Sequence, residues 1–511
     1  MMSSAPVPSQ GGRKATRREW LGLIAIALPC MIYSMDLTVL NLAVPTLTRE
    51  LKPSASQLLW IIDIYGFMVA GFLMTMGTLG DRIGRRRLLM LGAAFFGVAS
   101  TVAAFSNSVE MLITMRAVLG IAGATLAPST LSLIAVMFTD EKERTFAISM
   151  WIASFSAGAI IGPVVGGLLI EYLWWGSVFL IAVPPMLLLL VIGPILLPEY
   201  RAPDAGRIDL LSALLSLAAV LGLIYGIKHW AEAGFGPLAA VAILAGLSLA
   251  LVFLRRQAGL ADPMIDLAMF RIPAFRAALA INLASILFMF GSFIFLAQYF
   301  QLVAGLTPLQ AGLWSLPSAI AFTLASFVTP SLAARCKPAT LMASGLAVSA
   351  LGFIWLVFAP ELVQIVAASV VFSVGFTPVI TLTTGIVVGS APPERTGAAS
   401  AMSETSAELG GALGIAVLGS LGAALYRSRM TDIVVPGFSA DALAPARATL
   451  GGALALAAKL TPDQAGPILA QASAAFMAGF HASAILSVAG MLFCIAVTLT
   501  VLRDARPGEP H

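Results

Sequence analysis

Five charged residues stand where charge costs most. Asp36, Asp63, Arg116, Glu404 and Glu408 all fall inside apolar runs long enough to cross a bilayer as helices. An ionised side chain in hydrocarbon is expensive, so such groups pair, face water, or mark a site. Taking a helical rise of ~1.5 Å per residue, Asp36 lies well past the middle of an outward-running span. By the same measure Asp63 and Arg116 each lie about two turns into inward-running spans. All three are expected in one layer of the outer half. One chemistry is a static ion pair that fixes helix packing. The other is a protonatable carboxylate tuned by burial and by the Arg116 cation, able to load and release protons.

Glu404 and Glu408 belong to the run Ser403–Gly414, SETSAELGGALG. A spacing of four puts them on one helix face, where two ionised carboxylates would repel. Read functionally, that face is a negatively polarised wall of a cavity, suited to a cationic substrate, to protons, or to both. Read structurally, Glu404 is simply close enough to the inner interface to be solvated. Gly410, Gly411 and Gly414 follow and permit close packing or bending. A second small-residue run is Gly158, Gly162, Gly166 and Gly167, with Pro163 at its centre. Glycines at this spacing make a flat ridge for another helix, and the proline bends the span.

Composition fixes the setting of these groups. Of 511 residues, 59% are hydrophobic and only 11% charged, with a mean hydropathy of +0.96. A soluble domain of this length needs far more charge, so the fold class is an all-α polytopic membrane protein. Cys30, Cys336 and Cys494 are too scattered for a disulfide framework or a zinc site, and the three histidines are isolated. No metal and no cofactor other than protons is expected. No phosphate-binding glycine loop or nucleophile elbow appears, so no catalytic residues and no enzyme are expected. The basic residues follow membrane topology rather than a nucleic-acid surface. A basic start before Leu21 resembles a signal peptide, but the apolar pattern continues past Asp36 with no cleavage-like site.

Fourteen spans are expected: 20–45, 57–79, 88–107, 110–137, 145–170, 175–197, 208–229, 236–255, 275–303, 309–333, 338–359, 361–388, 397–426 and 478–502. The organisation follows. A tail at 1–19 precedes a six-helix bundle at 20–197. An inserted pair with its linkers covers 198–274. A second six-helix bundle covers 275–502, and 503–511 is a tail. The long loop 427–477 carries weakly amphipathic runs at 441–459 and 463–475, expected as short surface helices or as a plain insertion. With both termini cytoplasmic, 21 of the 29 Lys and Arg lie on the cytoplasmic side. Lys228 is assigned to a short external loop, leaving Arg116 as the basic residue within a span.

An internal repeat supports two bundles. Glu143-Arg144-Thr145-Phe146-Ala147-Ile148-Ser149 reappears 251 residues later as Glu394-Arg395-Thr396-Gly397-Ala398-Ala399-Ser400. Paired repeats with a midplane site between them are a transporter architecture.

Several stretches resemble the major facilitator superfamily. Gly77-Thr78-Leu79-Gly80-Asp81-Arg82-Ile83-Gly84-Arg85-Arg86-Arg87 is similar to its loop motif between the second and third spans. Arg116 to Gly120 resembles its fourth-span motif, and Gly158 to Gly167 its antiporter motif. The runs Met35 to Pro45 and Trp60 to Tyr65 resemble the fourteen-span drug:proton antiporters, among them exporters of quaternary ammonium compounds. The resemblance covers essentially the whole chain. It implies two six-helix bundles plus two inserted helices. It implies proton coupling through Asp36, Asp63, Arg116, Glu404 and Glu408, with Asp63, Glu404 and Glu408 contacting substrate. Gly77, Gly80, Asp81, Arg82, Gly84, Arg85 and Arg86 would form a conformational latch, and Gly158, Gly162, Pro163, Gly166 and Gly167 the antiporter helix. Two departures stand out. Leu119 replaces a common Gln, and the tenth span lacks the acid that in some relatives favours dications.

The expected function is proton-driven export of lipophilic cationic drugs, dyes and antiseptics across the cytoplasmic membrane by a monomer surrounded by lipid. Phe, Met and Trp lining the cavity would give low specificity. The same fold exporting an antibiotic, amino acid, siderophore or lipid is the alternative. A non-transporting sensor or scaffold fits less well, given the intramembrane charges.

Overall fold

The computed structural model describes residues 14–201, 209–233, 236–260, 263, 265, 267–333, 335–390, 396–431 and 440–503. Among these residues the regular structure is entirely helical, and fourteen helical segments are long and apolar enough to cross a membrane. In chain order the helices are α1 (Arg17–Leu51), α2 (Ala55–Ile83), α3 (Arg85–Ala104), α4 (Val109–Gly123), α5 (Leu126–Met137), α6 (Glu141–Tyr172), α7 (Ser177–Leu180) and α8 (Val183–Leu196). The inserted pair is α9 (Leu210–Ala233) and α10 (Pro237–Gly259). The second set is α11 (Pro273–Gln298), α12 (Pro308–Ala333), α13 (Pro338–Phe358), α14 (Leu362–Gly389), α15 (Thr396–Met430), α16 (Ala440–Ala448), α17 (Leu450–Ala457) and α18 (Pro462–Val501).

Local sequence sets the boundaries. Ser54 and Gln57 exchange side-chain bonds with each other's backbone N–H at 3.1 and 2.9 Å, a capping box that starts α2. Proline opens α10, α11, α13 and α18, where a missing N–H costs nothing. The expected fourth span is broken between α4 and α5, and the sixth between α7 and α8. The run 463–475 is not a separate surface helix. Pro462 starts α18 there, and the helix runs on through Pro467, which lacks one backbone donor, into the last span. The run 441–459 does fold as the short helices α16 and α17.

Glycine sets how closely the helices approach. In α6, a Cβ on Gly158 would sit 2.2 Å from the Met31 carbonyl oxygen, and one on Gly166 2.4 Å from Val39. Gly162 likewise lies under Thr38. The α6 ridge therefore seats α1. In α15, Gly414 lies against the Leu287 carbonyl and Gly410 against that of Leu283, which seats α11. We expect Gly158→Ala to force α1 off α6 at an overpacking cost of about 1–3 kcal/mol. The purified variant should unfold at a lower temperature by differential scanning fluorimetry; an unchanged midpoint would contradict this packing.

The two sets of helices meet along two seams, α6 with α12 and α2 with α15. Gly312 lies against the Pro163 carbonyl, and Gly167 against that of Pro308. On the other seam Gly66 faces Ala412 and Gly419 faces Leu59. At the face opposite the chain termini the two sets are also bonded together. Gln301 donates to the Leu42 carbonyl at 2.9 Å, and the Leu309 N–H donates to Glu171 at 3.1 Å. Gly451 of α17 packs on Thr48 of α1, while Tyr426 of α15 donates to the Ala446 carbonyl at 2.9 Å. The segment between α15 and α18 thus bridges both sets at the closed face.

The inserted pair covers the α2–α15 seam. Phe67, Ile224, Ala412 and Ala416 form a buried cluster of their own, flanked by Trp60, Val220 and Leu413. At the face of the termini, Arg256 donates to Asp209 at 3.0 Å and Gln257 to Ser212 at 2.7 Å, which ties α10 to the start of α9. Desolvation pushes the Asp209 carboxyl up, but bonds from Ser212 and Arg256 outweigh it and hold the group below its usual range.

Candidate functional site

The structure brings the charged layer together. Arg116 Nη1 lies 2.5 Å from Asp36 Oδ2, with side-chain exposures of 2% and 12%. Its Nε donates to the Ile61 carbonyl at 3.2 Å. The guanidinium also sits 4.6 Å from the Tyr65 ring centroid and 5.9 Å from that of Phe179. The cation is thus engaged by a carboxylate, a carbonyl and two rings, as a buried charge requires.

Asp63 is fully buried, and its partner is one that sequence reading misplaced. Lys228 is not in a loop. α9 continues to Ala233, so Lys228 lies inside the helix and is 1% exposed. Its Nζ is 2.7 Å from Asp63 Oδ2 and 4.3 Å from the Trp60 ring centroid. The contact is electrostatic rather than a well-aimed bond. Among the described residues neither Asp63 oxygen has a partner in hydrogen-bond geometry. The signal available in sequence was the helix-stop composition Gly-Phe-Gly-Pro at 234–237, which lies later than the polar run Lys228-His229.

Glu408 accepts a hydrogen bond from Tyr33 Oη at 2.6 Å. The bond joins α1 to α15, from one set of helices to the other. Glu404, one turn away, is exposed, whereas Glu408 is partly buried. The two share a helix face but differ in exposure.

Among the described residues, cavities open between the sets, and two of them share a wall. The larger, about 320 Å³, is lined by Phe155, Phe290, Phe293, Phe300, Phe322 and Met289, with Ser34, Thr38, Asn41, Ser315, Ser318 and Thr323 supplying polar groups. Pro163 is also on its wall. The smaller, about 160 Å³, is lined by Asp63, Arg116 and Glu408 among apolar groups. Phe290 belongs to both walls, so an apolar chamber adjoins a charged one across a single ring. The aromatic lining expected from sequence is present in Phe and Met; among the described residues no Trp lines either cavity.

The motif between α2 and α3 is anchored within one set of helices. Asp81 lies 2.5 Å from Arg85. The Arg85 N–H donates to the Tyr200 carbonyl at 2.9 Å, and the Arg86 N–H to Glu199 at 3.1 Å. Arg86 Nη1 also reaches the carbonyls of Pro194 and Leu197. Gly84 has φ +113°, and a Cβ there would lie 2.4 Å from Glu199, so both backbone and space demand glycine. Gly77 lies beside Pro128 and Gly80 beside the Arg85 side chain, while Arg82 is exposed. Glu199, the acid that gathers this loop, was missed from sequence; its place just after the sixth span, on the arginine-rich face, was the available cue. The repeat partner Glu394-Arg395 lies outside the described residues.

Two packed sets of helices with buried charge and a cavity between them are the geometry of a known family, and the Major Facilitator Superfamily model matches residues 26–415. The chain belongs to the major facilitator superfamily. It is a multi-pass membrane transporter rather than an enzyme. Relatives include the multidrug efflux pump LfrA of Mycolicibacterium smegmatis, 41% identical over 95% of this chain and 97% of that protein. The methyl viologen resistance protein SmvA of Salmonella typhimurium is 38% identical over 94% and 97%. The tetracenomycin C resistance and export protein of Streptomyces glaucescens is 30% identical over 99% and 95%. Among solved structures, an inward-facing, unoccupied bacterial homologue of the human lysosomal transporter Spinster superposes with a TM-score of 0.66. It is 16% identical and matches 96% of this chain and 99% of that one, a likeness of fold alone.

Proposed function

We propose that this transporter exports lipophilic cationic drugs, dyes and quaternary ammonium antiseptics in exchange for protons. It would do so in the cytoplasmic membrane with both termini in the cytoplasm. The observation that carries the reading is the pair of adjoining chambers. One is apolar and aromatic and of a size for a drug-like body. The other holds the Asp63 and Glu408 carboxylates next to it. A cation entering through Phe290 would meet carboxylates that a proton can also occupy, so drug and proton compete for the same negative charge. The Lys and Arg excess at the face of the termini supports the orientation. The drug-efflux names of the relatives support the substrate class.

The bond from Tyr33 to Glu408 joins the two sets of helices, so a change in the charge of Glu408 would bear on how they meet. Asp36 and Arg116 would hold the charged layer in register. In inverted membrane vesicles, ethidium uptake driven by respiration is expected to collapse on addition of an uncoupler and to be absent in Asp36→Asn. Uptake that survives the uncoupler would rule out proton coupling. A second reading, export of an uncharged antibiotic, is favoured by the larger cavity, which among the described residues has no charged group on its wall. Competition of ethidium uptake by neutral against cationic compounds separates the two.

A further inference from the structure

We propose that Lys228, carried by the inserted helix pair, is a built-in counter-cation that sets how much positive charge the charged chamber accepts. This rests on the proposed cation export and extends it to substrate charge.

Four ionic groups meet at or behind that chamber's wall besides Glu408. Asp36 is matched by Arg116 at 2.5 Å. Asp63 is matched by Lys228 at 2.7 Å. That leaves Glu408, which accepts from the Tyr33 hydroxyl, as the wall carboxylate with no cation within ion-pair distance among the described residues. With Glu404 exposed and off the wall, the balance of these groups is one negative charge, which one monovalent cation or one proton neutralises. At these separations, in a medium of effective dielectric constant about 20, one unit charge more or less changes binding by roughly tenfold or more.

Lys228 is suited to this role by its direction of approach. Asp63 is on the chamber wall, but Lys228 is not; it reaches the carboxylate from behind, through the α2–α15 seam that α9 covers. Trp60 shields the ammonium on its other side. The ammonium therefore alters the chamber's charge without occupying its space. Because Asp63 makes no well-aimed bond to anything else, its charge is balanced mainly by Lys228, with Arg116 as the other cation on the wall.

The simpler role is docking, in which Lys228 only holds α9 to α2. The two roles separate in purified protein, through binding of tetraphenylphosphonium (one charge) and dequalinium (two charges) measured by calorimetry at pH 8.5. Asp63→Asn leaves Lys228 unmatched and is expected to weaken tetraphenylphosphonium binding about tenfold. Adding Lys228→Met to Asp63→Asn removes both charges, restores the balance, and is expected to return the affinity to within about threefold of the parent. The double variant buries no unpaired charge, so it should fold even where a single one does not. Lys228→Met alone exposes two unmatched carboxylates and should raise the dequalinium-to-tetraphenylphosphonium affinity ratio by about tenfold. A double variant that binds tetraphenylphosphonium no better than Asp63→Asn, or more than tenfold more weakly than the parent, overturns the proposal. So does an unchanged ratio in a folded Lys228→Met. Absence of tetraphenylphosphonium binding by the parent protein is a different failure, that of cation export itself.

Discussion

Arg116→Ala is expected to reduce transport to background and to destabilise the protein strongly. Arg116 is engaged by the Asp36 carboxylate, the Ile61 carbonyl and two aromatic rings. Removing it leaves Asp36 with its charge uncompensated, and breaking a buried pair from one side costs about 3–5 kcal/mol. The variant should unfold well below the parent and accumulate poorly. Arg116→Ala combined with Asp36→Asn removes both charges and should recover much of the folded yield, because the penalty lies in the orphaned partner. It should not recover transport if the pair takes part in coupling. Arg116→Lys keeps the charge but loses the planar fork that serves Asp36 and Ile61 together, and should be intermediate in stability. Thermal unfolding together with vesicle uptake reads all three. Full transport by the doubly neutral variant would reduce the Asp36–Arg116 pair to a packing device.

The contrast between Arg116 and Lys228 shows what the sequence could and could not convey. Arg116 sits mid-run in an apolar stretch, so hydropathy alone flags it and its expected neighbour Asp36. The α6 glycine ridge was legible too, since its spacing demands a helix on top of it, and that helix is α1. Lys228 lies near a span's end, where hydropathy cannot distinguish the last turns of a helix from the first residues of a loop. Its burial depends on α9 packing against α2 and α15, which are distant in the chain. Tyr33 and Glu408 are 375 residues apart, and nothing local to either announces the other. Glu404 and Glu408 show the converse limit. Periodicity put them on one face, but depth along α15 decides that one is exposed and the other pairs with Tyr33. The length of α18 was hidden for a related reason: a weakly apolar run before an apolar one gives no sign that the helix is continuous.

Glu408→Gln is expected to abolish coupled transport while leaving the fold intact. The amide is nearly isosteric and its carbonyl oxygen can still accept the Tyr33 hydroxyl, so the link between α1 and α15 survives. What is lost is the negative charge and the ability to exchange a proton. Titratable or charged groups around it are Tyr33 from α1, Asp63 and Tyr65 from α2, Arg116 from α4 and Glu404 one turn away on α15 itself. With Glu408 neutral, the two cations Arg116 and Lys228 are matched by Asp36 and Asp63, and the chamber wall, which Glu404 does not line, keeps no net charge to attract a drug cation. Tetraphenylphosphonium binding should weaken about tenfold, and drug addition should no longer release protons into weakly buffered detergent solution. Tyr33→Phe separates the two roles of the bond. It keeps the carboxylate and removes the donor, at a cost of about 0.5–1.5 kcal/mol for one hydrogen bond. Drug-induced proton release should persist, whereas uptake should slow, because the tie between the two sets of helices has gone. If Tyr33→Phe silenced proton release and Glu408→Gln did not, the hydroxyl rather than the carboxylate would carry the exchange, and the assignment of Glu408 would fall.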